Sequence, residues 1–231
     1  HPEIPGLELA AAYRPAGDGT EIGGDFYDVF EIDPDDWCVA VGDVSGKGVD
    51  AAIVTALARY TIRAAAVRQK LPSAALHTLN EVLLHHETER FCTIAVARLR
   101  HRMQGWDITV SCGGHPLPIL IQSGRKPVLL GKPGSLVGLF GVPSFTDVTC
   151  ELNPGDAMVI YTDGVTEARS PGGEFYGEER LAASLSSSDV SAASLVHGLL
   201  GDVMAFQSNR PRDDIAVVAV GAPAVPVNPP R

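Results

Sequence analysis

Aspartates stand at one end of each of four apolar, strand-like runs in this 231-residue chain. Asp43 ends WCVAVGD, Asp163 ends MVIYTDG, Asp213 and Asp214 precede IAVVAV, and Asp25 precedes FYDVFEI. Strands packed side by side would bring such ends together, and clustered carboxylates repel unless a cation neutralises them. Oxygen donors without nearby His or Cys select Mg²⁺ or Mn²⁺ rather than zinc. Each aspartate alone also fits a turn or helix-cap residue, and spacing along the chain leaves both readings open.

Two phosphate-binding patterns come close in spacing but fail. A phosphate-cradling P-loop needs four residues between its first glycine and the Gly-Lys pair, then a Ser or Thr. In VGDVSGKGVDAA (41 to 52) only three residues separate Gly42 from Gly46, and Gly48 stands where the hydroxyl belongs. CTIAVAR (92 to 98) matches the C-x5-R spacing of cysteine phosphatases. Their loop must curl its N–H groups toward phosphate around a thiolate, whereas TIAVA reads as an extended, buried strand and Cys92 as core. His115, between glycine and proline, reads as a structural loop residue. Lys47 reads as a solvated loop cation, with phosphoprotein contact as the sharper alternative.

The elements that must position these residues are mostly strands. Leu7 to Tyr13, Phe26 to Ile32, Trp37 to Val41, Phe91 to Leu99, Trp106 to Ser111, Leu117 to Ile121, Ala157 to Tyr161 and Ile215 to Val220 carry the signal. DPDD (33 to 36) and Gly105 separate neighbours into hairpins. Helical spacing comes in two pairs. Val49 to Val67 is apolar nearly all round and is expected to be buried, and Leu76, Leu79 and Leu83 mark one face of its partner. The second pair covers Gly177 to Leu185 and Ala192 to Phe206. This order predicts an α+β layered domain of antiparallel sheets with segregated helices, without internal repeats.

At 45% apolar and a net charge of −10, the composition is that of a soluble globular protein. It argues against nucleic-acid or anionic-membrane partners, which need clustered Lys and Arg. No signal peptide or membrane span is visible. Cys38, Cys92, Cys112 and Cys150 lack a C-x-x-C pattern and fit reduced thiols in a cytoplasmic protein. The chain starts at His1 and ends in APAVPVNPPR. We read residues 1–221 as one domain excised from a longer regulator, and 222–231 as a disordered Pro-rich tail.

GGDFYD (23 to 28), GDVSGKGVDAA (42 to 52), GGHPLP (113 to 118), YTDGVTEA (161 to 168) and RDDIAVV (212 to 218) together resemble the successive motifs of the PPM superfamily. These are metal-dependent serine/threonine protein phosphatases, and the match is to the bacterial SpoIIE/RsbU-like branch. The resemblance implies an α-β-β-α sandwich, two antiparallel sheets face to face with helix pairs outside, holding two Mn²⁺ or Mg²⁺ ions. It implies that Asp43 bridges both metals, with the Val44 carbonyl on one. Asp25 would serve the second metal, and Asp163 and Asp213 the first, with Asp214 as substitute if the register slips by one. The implied catalytic residues are Asp43, Asp163 and Asp213, acting through a metal-activated water. Where eukaryotic members carry a proton-donating histidine this chain has Ser45, and their phosphate-binding arginine has no assigned counterpart, Arg14 being a candidate in a strand. The implied substrate is a phosphorylated STAS-type anti-anti-sigma protein, under control of an N-terminal sensory domain. A catalytically silent module that binds a regulatory partner is the alternative, and a degraded metal set would be its signature.

Overall fold

Pro34 and Asp35 make the tight turn expected from DPDD, with proline supplying the fixed φ that opens such a turn. It joins β2 (Asp25–Asp33) to β3 (Asp36–Val44). The computed structural model describes residues 2–16, 23–86, 90–103, 105–187 and 190–224. Among these residues are ten strands and four helices, divided between two compact units.

The central unit comprises Glu21–Leu117 and Leu130–Glu151. Its antiparallel sheet runs in the order β2-β3-β4-β5-β8, with β4 Cys92–Arg102, β5 Gly105–Gly113 and β8 Val148–Leu152. Helices α1 (Val49–Arg68) and α2 (Pro72–His85) pack on this sheet, α1 on β2 and β3 and α2 on β4 and β5. Alternate strand residues Cys38, Ala40, Ile94 and Val96 form a core with Ala58, Ile62, Leu76 and Leu79, as the two-residue period of a strand requires.

Helix α1 departs from expectation. Its Ala51, Val54, Ala58 and Ile62 are buried, but Val49, Ile53, Tyr60 and Val67 are 69%, 52%, 73% and 67% exposed. An apolar sequence all round did not mean burial all round, because a helix lying on one sheet offers it a single face. The helix is locked in place by charge. The buried Asp28 carboxylate accepts two hydrogen bonds from Arg63, each 2.6 Å, and Arg59 approaches to 3.6 Å. One turn further on, at the C-terminal end of α1, Arg98 donates to the Ala66 and Gln69 carbonyls and pairs with Asp36 at 2.6 Å.

The terminal unit comprises His1–Thr20, Pro118–Leu129 and Leu152–Arg231. Its sheet runs β1-β10-β9-β6-β7, with β1 Glu8–Arg14, β6 Ile119–Ile121, β7 Val128–Leu129, β9 Ala157–Tyr161 and β10 Ile215–Gly221. Helices α3 (Gly177–Ser187) and α4 (Ala192–Phe206) accompany it, and Leu181, Leu195, Leu199 and Val203 join Val159, Tyr161 and Val217 in its core. The Ser191 hydroxyl caps α4 by accepting the Ser194 N–H. Residues 225–231 of the expected tail lie outside the described residues. Its first residue, Ala222, is buried and hydrogen-bonded to Gly155 and Asp156.

The fold class is that expected: antiparallel sheets, each with a helix pair. No helix among the described residues is long and apolar enough to cross a membrane.

Candidate metal centre

In the central unit, the antiparallel register of β2 and β3 sets Asp25 directly opposite Asp43. The sheet therefore performs half of the convergence that the strand-end pattern suggested. Beyond Asp43 the chain turns: the Val44 N–H donates to the Gly24 carbonyl at 3.1 Å. A Cβ at Gly24 would overlap the Val44 carbonyl oxygen and Asp43 Oδ1. Only glycine lets those oxygens come so close to the backbone there, which explains the second glycine of GGDFYD. Sequence reading missed that role, because the crowding is visible only once β2 and β3 are paired.

Asp43 is flanked on its other side by Thr93 of β4. Thr93 Oγ1 lies 2.9 Å from Nδ1 of the buried His115. His115 is thus a packed loop residue beneath the strand end. Ser45 is likewise engaged: its hydroxyl accepts the Phe91 N–H at 3.1 Å, and its own N–H donates to the Phe91 carbonyl at 2.9 Å. Lys47 is exposed.

The terminal unit holds the other carboxylates. Neighbouring strands β9 and β10 are antiparallel, with Tyr161 opposite Val217, so Asp163 just after one and Asp213 just before the other fall at the same end of the sheet. That end is tied by hydrogen bonds between Thr162 and Ala216, including the Ala216 N–H to Thr162 Oγ1 at 2.9 Å. Burial, followed by the charges of Asp213 and Glu167, raises the Asp163 carboxyl above its ordinary range. A half-buried carboxyl beside another carboxylate is the situation a cation relieves.

Asp213 and Asp214 divide their roles. Asp213 is exposed and accepts the Asp214 N–H at 3.0 Å, whereas Asp214 is buried and accepts the Ala16 N–H at 2.7 Å. Asp214 therefore ties the residues after β1 to the start of β10. Arg14, at the end of β1, lies opposite Ile215, two residues from Asp213.

Among the described residues, no group of three or more His, Cys, Asp or Glu side chains is placed to hold a metal ion. The carboxylates come as two pairs, one per unit. The donor set fits a hard divalent cation: oxygens only, one strand-register pair crowded against a backbone carbonyl, and one pair under like-charge strain. Cys92 offers no rival centre. It lies in the extended strand β4, and burial pushes its thiol up to about 12, away from the thiolate a nucleophile requires.

The model of the family described as "Stage II sporulation protein E (SpoIIE)" matches residues 33–223. The chain belongs to the SpoIIE family. That match includes residues of both units. Among curated relatives, Protein IcfG of Synechocystis sp. is 27% identical over 95% of this chain and 38% of its own length. Phosphoserine phosphatase RsbU of Bacillus subtilis is 24% identical over 95% of this chain and 64% of its own. The chain thus spans between about a third and two thirds of these relatives. Among solved structures, the RsbU and RsbW domains of Rv1364c from Mycobacterium tuberculosis align with a TM-score of 0.79 and 26% identity, covering 97% of this chain and 62% of that one. The PP2C phosphatase domain of SpoIIE from Bacillus subtilis aligns with a TM-score of 0.78 and 18% identity, over 93% and 63%. RsbX, solved in complex with magnesium, aligns at 0.69 and 15%, over 93% and 94%. The fold of this SpoIIE-family chain is therefore that of the PP2C-type, or PPM, phosphatase domains.

Proposed function

We propose that this chain, over residues 1–221, is a metal-dependent serine/threonine protein phosphatase. Its substrate is a small cytoplasmic regulatory phosphoprotein of the STAS-type anti-anti-sigma kind, and it works under a sensory domain N-terminal to it. The observation that carries this reading is the Asp25–Asp43 register pair, crowded with the Val44 carbonyl against Gly24. Two carboxylates face to face at the open end of an apolar hairpin repel, and a bound cation would turn that repulsion into attraction. The name of RsbU as a phosphoserine phosphatase, and the magnesium in RsbX, support the same chemistry.

Asp25, Asp43 and the Val44 carbonyl are the central unit's ligands, and Asp163 and Asp213 the terminal unit's. The hydrogen bond of buried Asp214 to Ala16 favours Asp213 for the ligand role. When bound, two Mn²⁺ or Mg²⁺ ions supply a water of lowered pKa and offset the charge of the phosphoryl oxygens. The chain's own part is to hold the carboxylates of Asp25, Asp43 and Asp163 in partly desolvated positions, which makes their charge count for more than in water. No side-chain nucleophile is needed, and Cys92 stays a neutral core thiol.

A carboxylate-lined edge has few side chains with which to read one phosphoserine, so specificity resides in protein-sized contacts. The test compares kcat/KM for an intact phosphorylated STAS protein with that for its excised phosphopeptide, at saturating Mn²⁺. A markedly higher value for the intact protein is expected. Equal values would leave a phosphatase without that substrate preference, and no release from either would favour a silent binding module.

A further inference from the structure

Arg90, which the foregoing account does not use, sits just before β4 and reaches back to the turn that follows Asp43. Its Nη1 donates to the Ser45 carbonyl at 2.5 Å, and its Nη2 lies 3.9 Å from Asp50 Oδ2 in the first turn of α1. A Cβ on Gly46 would overlap the Arg90 guanidinium, so that glycine is what lets the side chain lie across the turn. Gly46 also has φ +89°, a conformation glycine adopts without strain. The neighbouring Phe91 completes the clamp, exchanging its carbonyl and N–H with the Ser45 N–H and hydroxyl.

These bonds determine where the Val44 carbonyl points. In a trans peptide the C=O and the following N–H point in opposite directions. With the Ser45 N–H bound to Phe91, the Val44 oxygen is turned the other way, to where it crowds Gly24 beside Asp43 Oδ1. The next peptide is fixed in the same manner, its Ser45 carbonyl held by Arg90. We infer that Arg90 is a positioning residue, locking the 45–46 turn so that the Val44 carbonyl and Asp43 are presented together to a divalent cation. The Asp50 contact is long and exposed and adds little. The guanidinium's share is the hydrogen bond to a carbonyl one residue from the ligand. This inference rests on the metal-centre reading above.

The experiment is calorimetric titration of the apo protein with Mn²⁺, together with the Mn²⁺-induced rise in Tm, for wild type, Arg90→Ala, Arg90→Lys and Gly46→Ala. Loss of a residue that orients a ligand typically weakens metal affinity by about 10- to 100-fold. Arg90→Ala should fall in that range while keeping an apo Tm close to wild type. Arg90→Lys, which keeps a donor but loses the planar fork, should lie between. Gly46→Ala should weaken Mn²⁺ at least as much as Arg90→Ala, since it displaces the guanidinium and also strains the turn at a φ of +89°. In turnover, excess Mn²⁺ should restore most of kcat for Arg90→Ala. Wild-type Mn²⁺ affinity in both Arg90 variants would overturn the inference and leave the metal centre standing. Failure of the wild type itself to bind Mn²⁺ would remove the metal centre and this inference with it.

Discussion

Asp25 and Asp43 are direct partners across the β2–β3 ladder, two like-charged side chains at the open end of a hairpin. Like charges directly opposite in a sheet cost stability, by about 0.2–1 kcal/mol. Asp43→Asn should therefore leave the metal-free protein as stable as wild type, or more stable by about 0.5 kcal/mol. It should also lose the Mn²⁺-induced rise in Tm. Urea melts without metal measure the first and thermal melts with and without Mn²⁺ the second; a variant destabilised without metal would mean that Asp43 is a structural residue.

Cys38, Cys92 and Cys112 are pushed up to about 12, in each case chiefly by burial. Their unfolded thiols titrate near 9.0. Below pH 9 both states keep the proton, so these groups add no pH dependence. From pH 9 towards 12 the unfolded chain loses thiol protons that the folded one retains, and stability falls as pH rises. Urea melts at pH 8 and pH 10 should register that loss. Cys150, the partly exposed thiol, should react first with an alkylating reagent at pH 8.

Cys92→Ser should retain metal-dependent phosphate release. It should cost about 1–3 kcal/mol of stability, the penalty for placing a hydroxyl in an apolar core. A folded, metal-binding but inactive Cys92→Ser protein would favour a cysteine mechanism.

The buried Asp28 carboxylate depends on Arg63. Arg63→Ala leaves that charge with the more distant Arg59, at 3.6 Å. Because Arg63 is itself partly exposed, the cost should be about 1–3 kcal/mol, below the figure for a fully buried pair. The double variant Asp28→Asn/Arg63→Ala should recover part of the loss. If each single variant matches wild type, the pair contributes nothing to holding α1.

Buried Asn80 on α2 joins the segment before β8, donating to the Phe140 carbonyl at 3.0 Å and accepting the Gly138 N–H at 2.8 Å. Asn80→Ala leaves two backbone groups without that partner, which should cost about 1–3 kcal/mol. Amide exchange should accelerate at Gly138 first. Unchanged exchange there would mean that Val137, bridged to Cys92, suffices to hold the segment.

Much of this arrangement was legible in the sequence. Apolar runs rich in β-branched and aromatic residues located eight of the ten strands among the described residues to within a few positions, and helical spacing gave Ala192–Phe206 with its observed bounds. The short strands Val128–Leu129 and Val148–Leu152 were missed, the first for its two-residue length and the second because Thr149 and Glu151 leave it no continuous apolar run. Helix α1 was misjudged because composition reports how apolar a helix is and not how many of its faces find a partner. At the site, the aspartates announced themselves at strand ends. Gly24, Arg90 and the Thr93–His115 contact did not, since each acts through a pairing between segments that chain order does not reveal. The separate environments of Asp213 and Asp214 were equally hidden, because the sequence presents them as two identical adjacent residues.

The central claim is metal-dependent hydrolysis carried by Asp43. Its most direct test is phosphate release from a panel of phosphoserine proteins as Mn²⁺ is titrated, with wild type beside Asp43→Asn. Saturable release is expected that requires Mn²⁺ or Mg²⁺, disappears with chelator, and is at background in the folded variant. Release that persists in chelator, or wild-type turnover by Asp43→Asn, would contradict that claim.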